Sequence, residues 1–176
     1  RQLLKQGKPV TVAEAAAQHS ISKATAYRYF SDPALLVSEA VLDLAVKPYA
    51  EVVAGAGGLR DGLMAISLYF FDLALANEAG FRSFLATTLM AWHPDRPGGP
   101  AMRGARRITM YEQALADFPS NLSQKDRTAL IQALAATTGT EAMIALLDVV
   151  QLDPAQARET VAGIAGALLD RYQVPG

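Results

Sequence analysis

Apolar residues along this 176-residue chain recur at spacings of three and four, and no stretch alternates apolar and polar long enough to make a strand. Ala, Leu, Met, Gln and Glu, which enter a helix at little cost, dominate the composition. The pattern predicts an all-α chain. A hydrophobic fraction of 51% is enough to bury a real core.

Several functions are excluded by what the chain lacks. It has no Cys, so a disulfide framework, a thiolate zinc site and a Cys nucleophile are ruled out, and an intracellular, cytoplasmic protein is expected. Charged residues interrupt every hydrophobic segment before it reaches bilayer-spanning length, and the first residues lack a secretory pattern, so no membrane partner is expected. The only histidines, His19 and His93, cannot build a histidine metal cage and offer at most one plausible base for a Ser-His-Asp arrangement. With no strand there is no glycine-rich phosphate loop at a strand–helix junction. The expectation is a protein that is not an enzyme and needs no metal or cofactor.

Breakers divide the helical pattern. Residues 1–6 read as the tail of a helix stopped at Gly7, and Arg1 in mid-helix without a Met is read as the sign of missing N-terminal residues. Thr11 caps a short helix over 12–18, and Ser22 opens another over 23–30 after the turn His19-Ser20-Ile21. A long helix starts near Pro33 and is expected to run past Pro48, which kinks or ends it. Further helices are predicted over 59–78, 80–92, 101–118, 123–150 and 154–172, with 93-HPDRPGGP-100 as the one clearly irregular loop. The predicted organisation is a small domain over 1–47 and a larger helical domain over 48–176.

Charge follows the same division. Residues 1–31 carry Arg1, Lys5, Lys8, Lys23 and Arg28 against Glu14, a net of +4, whereas residues 32–176 carry 11 basic and 16 acidic residues, a net of -5. A small basic module on an acidic body fits a nucleic-acid contact, because release of counterions from phosphates drives such binding. On a helical wheel Ala26 and Phe30 form a narrow inward stripe, while Ala24, Thr25, Arg28 and Tyr29 fan over the opposite side. That outward face lets Arg28 and Thr25 approach base edges in a major groove. Lys23 and Tyr27, one turn apart at its flank, suit backbone phosphates. Ala13, Ala15, Ala16 and Ala17 keep the preceding helix thin enough for a close crossing, which is the physical content of a helix-turn-helix.

Written out, 12-VAEAAAQHSISKATAYRYFSDPALL-36 resembles the DNA-binding region of the tetracycline-repressor (TetR) family of transcriptional regulators. The likeness rests on Thr11 before the first helix, the spaced alanines, Ile21-Ser22, Thr25, Tyr27-x-Tyr29-Phe30 and a Leu-rich helix following. It covers about the first 45 residues; the remainder is similar only in helix count, order and the style of its last two helices. It implies a three-helix DNA-binding domain with recognition helix 23–30, and DNA contacts from Thr11, Ser22, Lys23, Ala24, Thr25, Tyr27, Arg28 and Tyr29. Arg28 stands where operator choice is usually decided. The chain departs from the family pattern at Ser20, where Gly is usual and a left-handed turn would cost roughly 1 kcal/mol, and at Ala26, where Leu is common. Pro33 stands where a phosphate-binding Lys is common, which predicts one fewer phosphate contact per subunit and a shallower salt dependence.

The resemblance further implies a ligand-binding and dimerisation body. Four of the five Met and many aromatics lie between 64 and 111, side chains that adapt to irregular apolar ligands. Met64, Phe70, Phe84, Met90, Trp92, Met110 and Tyr111 are the pocket candidates. In 130–150 and 161–172 Leu, Ile and Val are interleaved with Ala, Gly and Thr, and Gly163 and Gly166 cost helix propensity that a tight helix crossing explains. Leu134, Ala142, Leu146, Val161, Ala165 and Leu168 are the candidates for a homodimer interface. The expected function is a dimeric, ligand-responsive repressor bound to palindromic double-stranded operator DNA and released by a small-molecule effector. The competing reading is a helical adaptor that uses its Tyr-rich helix to hold a protein.

Overall fold

The computed structural model describes residues 13, 16, 17, 22, 46–90 and 106–174, without the side chain of residue 87. Every regular element among them is a helix, so the all-α reading holds. In chain order these are α1 (Tyr49–Val52), α2 (Leu59–Ala76), α3 (Glu78–Met90), α4 (Arg106–Asp117), α5 (Gln124–Thr137), α6 (Thr140–Ile144) with a π-helical turn Ala145–Val149 behind it, and α7 (Pro154–Arg171). The chain forms two compact units, Arg1–Val46 with Ala79–Arg103 and Lys47–Glu78 with Gly104–Gly176.

In the second unit α2 packs on α4, α4 on α5, α5 on α7 and α7 back on α2, a closed ring of four helices. Each presents an apolar stripe at helical spacing. Leu59, Leu63, Ile66, Phe71 and Ala74 come from α2, Met110, Tyr111, Ala114 and Leu115 from α4, Leu130 and Leu134 from α5, and Ala157, Val161, Ala165 and Leu169 from α7. Full burial of one such Leu, Ile, Val or Phe is worth about 1.5–3 kcal/mol, so the ring is held by apolar area. Ion pairs set its direction. Arg60 meets Asp170 at 2.7 Å and Arg158 meets Asp72 at 2.8 Å, which fixes α2 and α7 antiparallel. Both pairs are exposed and add under about 1 kcal/mol each.

Local chemistry sets the helix ends. Asp153 caps α7 by accepting from the Gln156 N–H at 2.9 Å, the Gln156 side chain returns to the Asp153 N–H at 3.2 Å, and Pro154 opens the first turn. Ser123 caps α5 in the same manner, accepting from the Asp126 N–H at 3.1 Å. The 123–150 helix, predicted as one element, is broken instead at Thr138-Gly139. There Gly139 is extended, with φ -119° and ψ -162°, and the Thr138 hydroxyl donates to Leu134 O at 2.6 Å. The break expected at Gly80 falls at Asn77, whose backbone N–H donates to Ala74 O at 3.3 Å and whose amide donates to Leu73 O at 3.0 Å. Gly80 lies inside α3. Residues 46–48 are not helical and Pro48 precedes α1; of the helix expected from Pro33, residues 33–45 lie outside the described residues.

The C-terminus of α7 closes with paired bonds, Val174 N–H to Leu169 O at 2.9 Å and Gln173 N–H to Asp170 O at 3.0 Å, while Val174 and Leu169 are both buried. This geometry puts residue 173 at φ 52°, a left-handed position that Gly fills without strain and Gln does not. Gln173→Gly is therefore expected to raise stability by about 0.5–1 kcal/mol. The check is a shift of the urea midpoint with an unchanged m-value.

Candidate functional site

Of the residues assigned to DNA contact, Thr11, Lys23, Ala24, Thr25, Tyr27, Arg28 and Tyr29 lie outside the described residues, and Ser22 is exposed. Ala13, Ala16 and Ala17 are helical. Ala16 is buried and Ala17 exposed, so this short stretch has an inner and an outer side.

The pocket candidates divide between the two units. Met64, Phe70, Met110 and Tyr111 belong to the second; Phe84 and Met90 belong to the first, where Met90 is 87% exposed. Trp92 is outside the described residues. Met64 and Phe70 are half-buried on α2, and Phe70 meets the Tyr69 ring edge-on at 5.2 Å. Tyr69 in turn accepts the Lys47 N–H at 2.6 Å, which ties the segment before α1 to α2. Met110 and Tyr111 lie in the core of the ring, and Tyr111 is fully buried.

Tyr111 joins three helices through hydroxyls. Ser67 Oγ on α2 lies 2.7 Å from Leu63 O and 2.9 Å from the Tyr111 hydroxyl. The same hydroxyl lies 3.0 Å from Thr138 Oγ1, which lies 2.6 Å from Leu134 O. The two carbonyls only accept, so they take the Ser67 and Thr138 protons; the Tyr111 proton then serves Ser67 or Thr138, but not both at once. Three protons serve four short contacts. Burial pushes the Tyr111 hydroxyl above its ordinary pKa, against the opposing pull of Ser67, Thr138 and the nearby charge of Arg107. The group stays protonated and acts as a joint between helices.

A second buried hydroxyl belongs to Tyr49. The residue is half-buried but its oxygen is enclosed. Burial first, and then the Asp117 carboxylate beside it, push its pKa up to about 12.

A cleft of ≈ 530 Å³ opens where the loop before α5 meets the end of α7, lined by Pro119, Ser120, Asn121, Leu122, Asp126, Arg171, Tyr172 and Gln173. None of the pocket candidates lines it. One wall is fixed by Arg127, which donates to Leu122 O at 3.2 Å, Leu115 O at 2.9 Å, Ser120 O at 3.4 Å and Ser120 Oγ at 3.1 Å. Periodicity gave no sign of this role, since Arg127 reads as an ordinary charge in the first turn of a helix. The cleft offers one cation, one carboxylate and two amides, chemistry suited to holding a small polar molecule. Among the described residues no group of three or more His, Asp or Glu is placed to hold a metal ion.

The interface candidates fall on two sides of their helices. Leu134, Val161 and Ala165 are fully buried in their own chain, so their side chains have no surface to offer a second copy. Ala142, Leu146 and Leu168 are half-buried. The outward apolar residues are Val149 at 79%, Val150 at 55% and Ile164 at 37% exposure. Gly163 is exposed, with open space where a Cβ would stand, and a Cβ at Gly166 would make only ordinary contact with Met64 at 3.9 Å. Among the described residues no close helix crossing explains either glycine. No protein-family model, no curated protein and no solved structure matches the chain.

Loss of the Tyr111 hydroxyl removes one proton and one hydrogen bond from the cluster. Tyr111→Phe is expected to cost about 1 kcal/mol in urea unfolding, whereas a loss above about 3 kcal/mol would mean that Ser67 and Thr138 rely on Tyr111. Tyr49 has a raised folded pKa, so its contribution is complete below pH 10 and is lost as pH climbs toward about 12. Over that window the stability difference between wild type and Tyr49→Phe should move against the wild type, measured by unfolding at each pH.

Proposed function

We propose that the chain is a dimeric, sequence-specific DNA-binding regulator whose operator affinity responds to a small-molecule effector. The observation that carries this reading is the stretch 12-VAEAAAQHSISKATAYRYFSDPALL-36 at the basic end of an otherwise acidic chain. Its sequence reads as a thin scaffold helix, a capped short helix and a cluster of Lys, Thr, Arg and Tyr, residue types that suit phosphates and base edges better than a core. In this reading Lys23, Tyr27 and Tyr29 hold the backbone, and Arg28 reads a base.

The rest of the chain supports two further steps. An exposed glycine in α7 with open space among the described residues where a Cβ would stand, beside Ile164, and the exposed pair Val149 and Val150 before α7, suit the approach of a second copy. Two basic modules on one palindrome bind far more tightly than one. An effector that prefers one arrangement of the body then lowers operator affinity by linkage. A cytoplasmic location follows from that role.

The test is selection of binding sites from a random duplex pool with the full chain at physiological salt. A palindromic motif is expected. Recovery of no motif, with binding that vanishes at moderate salt, would favour the protein-binding adaptor. Arg28→Ala should relax base preference at one position of each half-site, whereas Tyr27→Phe should weaken all sequences alike; equal losses for both on every sequence would reject this division of roles.

A further inference from the structure

The segment 124–150 contains no Pro and reads as one helix interrupted only by 137-Thr-Thr-Gly-139. In the structure Gln124–Thr137 and Thr140–Val149 diverge by 42°. Kinks of this size have identifiable causes, and two meet here. Thr137 donates to Ala133 O at 2.8 Å and Thr138 to Leu134 O at 2.6 Å, bonds to the carbonyl four residues back that bend helices. Arg107, from α4, donates its Nη2 to Ala135 O at 2.7 Å. In an unbroken α-helix that carbonyl belongs to the N–H of residue 139.

The glycine at 139 fits the same account. Its backbone is extended, a conformation open to any residue, so conformational freedom does not explain it. Space does. A Cβ at 139 would fall on the Arg107 guanidinium.

We propose that Arg107 is a removable wedge. With the guanidinium on Ala135 O, the helix is bent at Thr138-Gly139; with it withdrawn, the Gly139 N–H takes that oxygen and the two arms join into one helix. In each state the Ala135 oxygen keeps a donor, so neither state leaves that carbonyl unpaired, and a ligand or a partner that prefers one hinge angle selects it. The far arm ends at Val149 and Val150, both exposed, so the hinge angle aims the surface assigned above to a second copy. Only this consequence rests on the regulator reading; the hinge rests on the geometry alone.

Residual dipolar couplings on the isotope-labelled full chain measure the angle between the arms directly. The wild type is expected to give about 42°. Arg107→Met, which keeps the aliphatic stem, and Gly139→Ala, which puts a Cβ in the place of the guanidinium, should each bring it below about 20°, the ordinary limit for a helix without a sharp kink. In both, exchange of the backbone amide at position 139 should slow at least tenfold against the rate intrinsic to its residue type. An angle that stays near 42° in either variant, with helical content unchanged, would overturn the wedge. Site selection with the same proteins is read separately: recovery of no motif by the wild type overturns the regulator reading and leaves the angle measurement standing.

Discussion

Three hydroxyls sit where α2, α4 and α5 meet, and they share three protons among four short contacts. The apolar stripes decide that the helices pack, and Ser67, Tyr111 and Thr138 narrow the height at which each stands against the next, because hydrogen bonds weaken steeply when their partners shift. Tyr111 is fully buried, its ring filling core volume while its oxygen needs partners, and only one relative position of the three helices supplies two. The proton shortage has its own consequence. Since Ser67 and Thr138 already serve carbonyls of their own helices, the tyrosine proton is free to favour either side, and the joint tolerates a small shift of one helix relative to the others.

That tolerance falls at the irregular part of the body. Thr138 belongs both to the hydroxyl cluster and to the break between α5 and α6, and beyond the break the helix passes into a π turn where the Val150 N–H reaches Ala145 O at 3.1 Å. Gln151, just past it, is left-handed with φ 60°. A break, a widened turn and a strained residue thus follow one another within fifteen residues, while α7 on the other side of the loop is capped at both ends and regular throughout. The ring is anchored by α2 and α7, and α5 with its continuation is the element whose course depends on side-chain hydrogen bonds.

The legible and illegible parts of the sequence divide along the same line. Asp153-Pro154 with Gln156 announces the start of α7, and Ser123 announces that of α5, because these signals are local: a side chain meets backbone three residues away. The break at Thr138-Gly139 is not local. Thr137-Thr138-Gly139 is a weak stretch for a helix, but what holds it open is Arg107, 32 positions earlier in sequence. Leu134, Val161 and Ala165 show a related limit. Interleaved large and small residues announce close helix packing, yet periodicity does not say whether the neighbour belongs to the same chain, and these three are enclosed by their own. For the DNA contacts the legible evidence remains the order and type of residues 12–36.

Two arginines stand at the ends of α5, and both treat backbone carbonyls as their anions. Arg127 divides its donors over Leu115, near the end of α4, and Ser120 and Leu122, on the loop that brings the chain into the helix. Those carbonyls lie at a helix end and in a loop, where no helical N–H competes for them, so the guanidinium is the standing solution to their hydrogen-bonding need. Arg107 reaches Ala135 O at the other end, and there a second claimant exists, the N–H four residues on. The same chemistry therefore gives a permanent fastening at the entrance of α5 and an exchangeable one at its exit. The difference arises from the acceptor, since a carbonyl inside a potential helix always has an alternative donor and a loop carbonyl does not.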